Sequence, residues 1–125
     1  MSDNKLSGLR VLVVEDEALV AMLVEDMLTD IGCTVVGPLA DLDEALAVVG
    51  DADIDCAVLD VNLAGKPIFP VADALKARGV PFAFASGYGE AGVREDHRNA
   101  PVLQKPFREA DLARALDVLA AARAG

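Results

Sequence analysis

The sequence predicts an α/β fold, a doubly wound sheet of five parallel strands, and three observations support this prediction. Short apolar runs alternate along the chain with longer segments in which apolar residues recur at helical spacing. The connections between successive runs are long enough to bring the chain back in the same direction, which favours parallel pairing. The runs are apolar without alternation, which is typical of strands covered on both faces.

Strands are predicted at residues 9–14, 33–37, 56–60, 80–86 and 101–104, and helices at residues 17–31, 41–49, 71–78 and 109–122. The first and third helices stop at glycines, Gly32 and Gly79. The second begins at Asp41, an N-cap residue that is followed three positions later by Glu44. Neither repeats nor linkers occur, so we expect one domain over residues 1–125 with a core over about residues 8–122.

The segment at residues 87–100 departs from this alternation. It contains three glycines and a cluster of charges, and its only large apolar residues are Tyr88 and Val93. A full helix there would bury little apolar surface. We therefore expect a short turn of helix or a mobile loop, so that the fourth helix of the fold is reduced.

Charge and hydropathy narrow the classes of partner. The chain has 21 acidic and 11 basic residues and a net charge of −10, whereas nucleic acids and anionic membranes attract an excess of Lys and Arg. Its apolar runs fall short of the roughly 20 residues that span a bilayer. We expect a cytoplasmic protein with no nucleic-acid and no membrane partner.

Polar side chains follow four of the five predicted strands. Ligands of an open parallel sheet bind beyond the carboxyl ends of its strands, so these residues should meet at one edge. The second strand is predicted to end at Gly37 and Pro38 and to contribute none. The residues at the other four strand ends are Glu15, Asp16, Asp60, Ser86 and Lys105.

This combination favours phosphoryl chemistry. Three carboxylates at one site repel one another unless a cation offsets them, and a set of oxygen ligands suits Mg²⁺, with Mn²⁺ as an alternative. Lys105 and Ser86 suit phosphoryl oxygens, and Asp60 is the candidate nucleophile for an aspartyl phosphate. Each residue also has an ordinary interpretation, such as helix capping by Asp16 or turn formation by Ser86. Only the combination indicates function.

Four motifs in order resemble the receiver domain of two-component response regulators. They are VLVVEDE at residues 11–17, VLDVNL at 58–63, FASGYG at 84–89 and QKPF at 104–107. The resemblance implies a flavodoxin-like, CheY-like fold and a single receiver domain without an output domain. It also implies a domain that phosphorylates and dephosphorylates itself, not a turnover enzyme.

The resemblance implies a ligand set for the metal. Asp16 and Asp60 would bind Mg²⁺ directly, Glu15 would bind it through water, and Asn62 would contribute its backbone carbonyl.

It also implies roles in phosphoryl transfer. Asp60 would accept the group from a phosphohistidine on a sensor histidine kinase or a histidine phosphotransfer protein. Ser86 would contact a phosphoryl oxygen, and Lys105 would pair with the phosphorylated aspartate. The Lys105–Pro106 peptide would be cis.

One stretch, PFAFASGYG, is similar to the FATGUY subgroup of receivers, with Ser86 where the subgroup has Thr. Val102 stands where many receivers carry an aromatic switch residue, so Tyr88 is the switch candidate. The subgroup implies a stand-alone receiver, which acts as a relay shuttle or sink or by contact with a downstream protein.

Three alternatives remain open at this point. A Toprim-type metal site needs a second acid where Asn62 stands, and a haloacid-dehalogenase-type phosphatase needs D-x-D after the first strand, where this chain has VEDEA. The third alternative is a receiver-shaped module that binds protein without phosphorylation. The presence of both Asp60 and Lys105 disfavours it.

Overall fold

The computed structural model describes residues 6–63, 65–87 and 100–124. Within these residues the strands are β1 (Arg10–Val14), β2 (Thr34–Leu39), β3 (Cys56–Asp60), β4 (Asn62–Leu63), β5 (Lys66–Pro67), β6 (Phe82–Ser86) and β7 (Val102–Gln104). The helices are α1 (Ala18–Ile31), α2 (Leu42–Asp51), α3 (Phe69–Ala77) and α4 (Glu109–Ala124).

The described residues form a five-stranded parallel sheet in the order β2–β1–β3–β6–β7. Val14 pairs with Leu59 across β1 and β3, and Asp60 pairs with Ala85 across β3 and β6. The carboxyl ends of the central strands are therefore level, and they meet at one edge of the sheet. The predicted α/β class and the parallel five-stranded sheet are confirmed.

Each central strand sends alternate side chains into two apolar layers. On one side Leu59 and Phe84 pack with α2 and α3, which we call the α2–α3 face. On the other side Val58 and Ala83 pack with α1 and α4, the α1–α4 face. This double burial accounts for the unbroken apolar runs in the sequence.

Two predicted helix boundaries are confirmed by their capping contacts. The side chain of Asp41 accepts a hydrogen bond of 3.1 Å from the backbone N–H of Glu44, which starts α2. Gly32 ends α1 in the left-handed region with φ 106°, where glycine carries no Cβ penalty.

Other predicted boundaries are wrong. β2 does not end at Gly37 but continues through a cis Gly37–Pro38 peptide to Leu39. α3 begins at Phe69 rather than at residue 71, because Pro70 fits the first helical turn, where its missing N–H removes no helical hydrogen bond. β6 begins at Phe82 rather than at residue 80.

A small antiparallel hairpin follows β3 and was not predicted. Asn62 pairs with Pro67 and Leu63 pairs with Lys66. The hairpin is anchored by the buried side chains of Leu63 and Ile68. Strands of two residues are too short to show a periodic pattern in the sequence.

The segment at residues 88–99 lies outside the described residues, so the reduced fourth helix stays a prediction. Among the described residues, no helix combines the length and the apolar character needed to cross a membrane.

Candidate functional site

Three carboxylates meet at the carboxyl edge of the sheet. Glu15 and Asp16 follow β1, and Asp60 is the last residue of β3. One oxygen from each carboxylate lies within 4.8 Å of the other two. Glu15 is 4% exposed and Asp60 is 7% exposed. The strand ends therefore hold two acids in surroundings that otherwise suit apolar side chains.

Lys105 supplies a positive charge to this cluster. Its Nζ lies 2.8 Å from Oε1 of Glu15 and 3.4 Å from Oδ1 of Asp60. The backbone N–H of Lys105 donates to the carbonyl of Ser86, which continues the pairing of β6 and β7 to the site. The Lys105–Pro106 peptide is cis.

The electrostatics of the cluster are unbalanced. Burial and the neighbouring Glu15 carboxyl raise the pKa of Asp60 from 3.8 to about 7, and Lys105 only partly opposes them. Burial lowers the pKa of Lys105, but Glu15 and Asp60 more than offset this and raise its pKa above the usual value. The side chain of Lys105 is therefore protonated at neutral pH. One ammonium beside three carboxylates leaves an excess of negative charge.

Backbone contacts fix the orientation of Glu15. Its own N–H donates to the carbonyl of Leu39 at 2.9 Å, and its Oε2 accepts from the N–H of Glu17 at 3.1 Å. The second strand thus reaches the site through a backbone carbonyl, whereas the expectation from sequence concerned polar side chains only. The extension of β2 through Pro38 that places Leu39 there has no signal in the sequence.

Two further predicted residues lie at the same edge. Ser86 is the buried last residue of β6, one position beyond Ala85, the partner of Asp60. Asn62 begins the hairpin two residues after Asp60, and its backbone pairs with Pro67. The switch candidate Tyr88 lies outside the described residues.

The arrangement can do two things chemically. Glu15, Asp16 and Asp60 form an oxygen-only set that could hold a metal ion. Asp60 also presents a carboxylate whose charge is offset by an adjacent ammonium. A carboxylate beside a cation at the edge of a parallel sheet suits the transfer of an anionic group.

Comparison with known proteins agrees with this geometry. A sequence model of the response regulator receiver domain matches residues 11–117. The chain is 42% identical over 77 residues to the transcriptional regulatory protein TcrA of Mycobacterium tuberculosis, covering 62% of this chain and 30% of TcrA. It is 30% identical over 113 residues to the transcriptional regulatory protein PdtaR of the same species, covering 87% of this chain and 55% of PdtaR. The chain thus spans about a third to a half of these curated relatives.

Solved structures give a fuller match. The solution structure of SdrG from Sphingomonas melonis Fr1 superposes with a TM-score of 0.81 at 47% identity, covering 90% of this chain and 96% of SdrG. The BeF3-activated conformation of SdrG gives a TM-score of 0.77 at the same 47% identity, covering 91% of this chain and 98% of SdrG. With the sheet, the acidic cluster and the sequence match in agreement, the chain belongs to the response regulator receiver domain family of two-component signalling.

Proposed function

We propose that the chain accepts a phosphoryl group on Asp60 from a phosphohistidine of a sensor histidine kinase or a histidine phosphotransfer protein. The observation that carries this proposal is the cluster itself. Asp60 lies in contact range of two other carboxylates, and the Lys105 ammonium is 3.4 Å away. Crowded carboxylates repel one another and destabilise the folded state, and such arrangements are found mainly at functional sites.

The donor set fits a hard divalent cation. Three carboxylates with one ammonium leave net negative charge, and the raised pKa of Asp60 reflects burial and its acidic neighbour. Asp16 and Asp60 would bind Mg²⁺ directly together with the backbone carbonyl of Asn62, Glu15 would bind it through water, and Mn²⁺ offers the same chemistry. The bound ion would offset negative charge on the transferring group.

Phosphoryl transfer uses the chain's own groups in defined roles. An oxygen of Asp60 forms the new O–P bond while the N–P bond of the phosphohistidine breaks and the imidazole nitrogen keeps the electron pair. Lys105 stabilises the added negative charge. Ser86 donates its hydroxyl hydrogen to a phosphoryl oxygen.

Two observations support this assignment beyond the family match. SdrG, at 47% identity, has a BeF3-activated conformation. The Lys105 side chain bridges Glu15 and Asp60 within 3.4 Å, so a new charge on Asp60 would change both contacts at once. We propose that the phosphorylated form acts as a relay shuttle or sink or by contact with a downstream protein.

The output residue in this proposal is Tyr88, in place of the aromatic that many receivers carry at the position of Val102. Tyr88→Ala should weaken coupling to a partner more than it weakens phosphorylation. An equal loss of both would count against a switch role.

Intact-mass spectrometry tests the acceptor. The protein is incubated with Mg²⁺ and a small-molecule phosphodonor beside Asp60→Asn, and one added phosphoryl group is expected in the wild type alone and only with metal. Asp26→Asn is the matched control, since Asp26 is an exposed acid on α1. Full phosphorylation of Asp60→Asn would overturn the assignment.

A receiver-shaped module that binds protein without phosphorylation is the second candidate. Val102 in place of an aromatic favours it, because one familiar part of the phosphorylation response is missing. Joint binding of Mg²⁺ and beryllofluoride separates the two functions. Binding that disappears in Asp60→Asn supports phosphorylation, and failure of the wild type to bind supports the module.

A further inference from the structure

β2 carries one more residue than β1 next to the acidic site. Leu12 pairs with Val36, but Val14 pairs with Leu39, so two steps along β1 correspond to three steps along β2. The extra residue makes a β-bulge, a feature that is rare in parallel pairs and over-represented at sheet edges and next to active sites. The bulge lies directly before Glu15 in the ladder, because Val14 and Leu39 are the last pair of the two strands.

Pro38 explains why the pairing changes register at this point. The N–H of Thr34 donates to the carbonyl of Leu9, and every second residue of a strand bonds to the same neighbouring strand. The next donors from β2 to β1 would therefore be Val36 and the residue at position 38, where proline has no N–H. A regular ladder cannot continue past Val36, and the bulge moves the pairing to Leu39.

The bulge determines which backbone group meets Glu15. The N–H of Glu15 donates to the carbonyl of Leu39 at 2.9 Å. The two carboxylate oxygens of Glu15 accept from Nζ of Lys105 at 2.8 Å and from the N–H of Glu17 at 3.1 Å. Since β2 holds the backbone of Glu15, the position of its carboxylate depends on where Leu39 lies.

Gly37 is the residue that permits the bulge. Its φ is 100°, in the left-handed region that favours glycine. A Cβ at this position would lie 2.9 Å from the backbone nitrogen of Leu39 and 3.0 Å from the carbonyl oxygen of Val13. Carbon atoms in contact are about 3.5–4.0 Å apart, and backbone atoms cannot rotate away as the end of a side chain can. A side chain at position 37 would therefore displace Leu39 relative to β1.

We propose that Gly37 is a positioning residue for the acidic site, because it admits the bulge that places the Leu39 carbonyl on the N–H of Glu15. The Glu15 carboxylate is thereby held where it contacts Lys105 and would reach the metal through water. The inference rests on the proposed function, which requires the metal. It adds a residue that touches neither the ion nor the phosphoryl group and acts through a ligand, and changes around ligands commonly alter metal affinity by about 10- to 100-fold.

The place of β2 in the sheet offers an ordinary explanation for the bulge. β2 lies at one edge of the described sheet, and prolines and bulges on edge strands discourage pairing with another chain. The location of the bulge favours positioning, since the next residue of β1 beyond the last pair is Glu15, a member of the acidic cluster. Filling the space at Gly37 should alter the site if the bulge positions Glu15, and should cause association between chains if the bulge only protects the edge.

Three glycine variants test the proposal. Gly37→Ala and Gly37→Asn both add the Cβ, and asparagine tolerates a positive φ better than alanine does. Gly79→Ala is the matched control, because Gly79 also has a positive φ, 73°, and a Cβ there would meet nothing within 4 Å. Thermal unfolding compares the stability of the variants, and backbone amide spectra establish that they are folded.

Three measurements report on the site. Hydrogen exchange of the Glu15 amide, followed by NMR in EDTA, reports its bond to Leu39. The dissociation constant for Mg²⁺ is obtained from the shifts of amide signals as the ion is added. The rate at which a small-molecule phosphodonor modifies Asp60 is followed by intact mass over a range of Mg²⁺ concentrations.

Both Gly37 variants should lose protection of the Glu15 amide and bind Mg²⁺ about tenfold more weakly. They should need about tenfold more Mg²⁺ to reach half of their maximal rate of phosphorylation, and the rate at saturating Mg²⁺ should fall less than the affinity does. Gly79→Ala should leave all three measurements unchanged, although it carries the same kind of backbone cost.

A double-mutant cycle with Glu15→Gln separates positioning from general damage. If Gly37 acts through Glu15, Gly37→Ala should weaken Mg²⁺ binding in the wild-type background and have little further effect beside Glu15→Gln. Fully additive losses would overturn the proposal.

An unchanged Glu15 amide or an unchanged Mg²⁺ affinity in both Gly37 variants would also overturn it, as would an equal loss of affinity in Gly79→Ala. Concentration-dependent association of the Gly37 variants with an unaltered site would assign the bulge to protection of the edge. If neither Gly37 variant folds, the wild type decides, and a Glu15 amide that exchanges as fast as in an unfolded chain would refute the contact on which the proposal depends.

The same measurements distinguish the two levels of the hypothesis. A wild type that binds Mg²⁺ but gains no phosphoryl group refutes the proposed function alone. A phosphorylated wild type, with equal Mg²⁺ affinities in Gly37→Ala and Gly79→Ala, refutes only the positioning role. A wild type that does not bind Mg²⁺ refutes both.

Discussion

Leu59 and Asp60 are adjacent on β3, and they lie in opposite kinds of environment. Leu59 is fully buried in the apolar layer of the α2–α3 face. Asp60 is also nearly buried, but its neighbours are Glu15, Asp16 and Lys105. One step along the strand therefore changes the side chain from one that stabilises the fold to one that costs stability.

The same change occurs on two neighbouring strands. Val14 in the core precedes Glu15 in the site, and Ala85 in the core precedes Ser86. Burying polar groups at a strand end removes them from water, which lowers the stability of the fold relative to apolar residues there. The interior of the sheet is therefore organised for packing, whereas its carboxyl edge gathers polar and charged groups.

The largest predicted effect is loss of packing in the interior. Leu59→Ala should lower the free energy of unfolding by about 2–5 kcal/mol, since it leaves a cavity among buried side chains. Urea unfolding monitored by circular dichroism measures this change. Val118→Ala is the control, and this exposed position on α4 should change stability by about 0.5 kcal/mol or less. Similar losses in both variants would remove the distinction between interior and surface.

The next effect has the opposite sign. Asp60→Asn in buffer with EDTA at pH 8 should raise the free energy of unfolding by about 1–3 kcal/mol, because it removes one of three crowded carboxylates. Thermal unfolding measures it, with the exposed acid Asp26→Asn as the control. A loss of stability in Asp60→Asn would mean that the Lys105 contact outweighs the repulsion.

The pH dependence sharpens this second prediction. Burial and Glu15 raise the pKa of folded Asp60 to about 7, above its ordinary value of 3.8. The folded state then binds the proton more tightly, so the cost of Asp60 is absent below about pH 4 and complete above about pH 7. In EDTA, the stability advantage of Asp60→Asn should shrink as the pH falls from about 7 to about 4. An advantage that stays constant over this range would contradict the raised pKa.

Much of the fold and the site follows from local pattern. The unbroken apolar runs predict β1, β3 and β6, because strands buried on both faces need no polar side chains. Asp60 and Lys105 could be placed together from sequence, since the carboxyl ends of parallel strands share one edge. The distance of 3.4 Å between them depends on tertiary packing and carries no local signal.

Other features depend on contacts between distant segments. The course of β2 through Pro38 places the Leu39 carbonyl against Glu15, whereas the local residues predict a turn there. Phe107, far along the chain from α1, packs on the same apolar layer as Val20 and Met27 of that helix. Helical spacing predicts α1, but it does not predict that Leu19, Met22 and Leu23 stay exposed.

The smallest predicted effect lies at the end of β6. Ser86→Ala should change the free energy of unfolding by about 1 kcal/mol or less, because a single neutral hydrogen bond contributes about that much. Ala83→Ser moves the same hydroxyl into the α1–α4 face of the same strand, and should cost about 1–3 kcal/mol because the apolar layer offers it little solvation. Urea unfolding of the two variants compares them directly. A cost for Ser86→Ala near that of Leu59→Ala would make the carboxyl edge part of the structural core, whereas a small cost with a changed phosphoryl lifetime would place the hydroxyl in the chemistry. The edge of the sheet can then vary in reactivity while its interior keeps the fold.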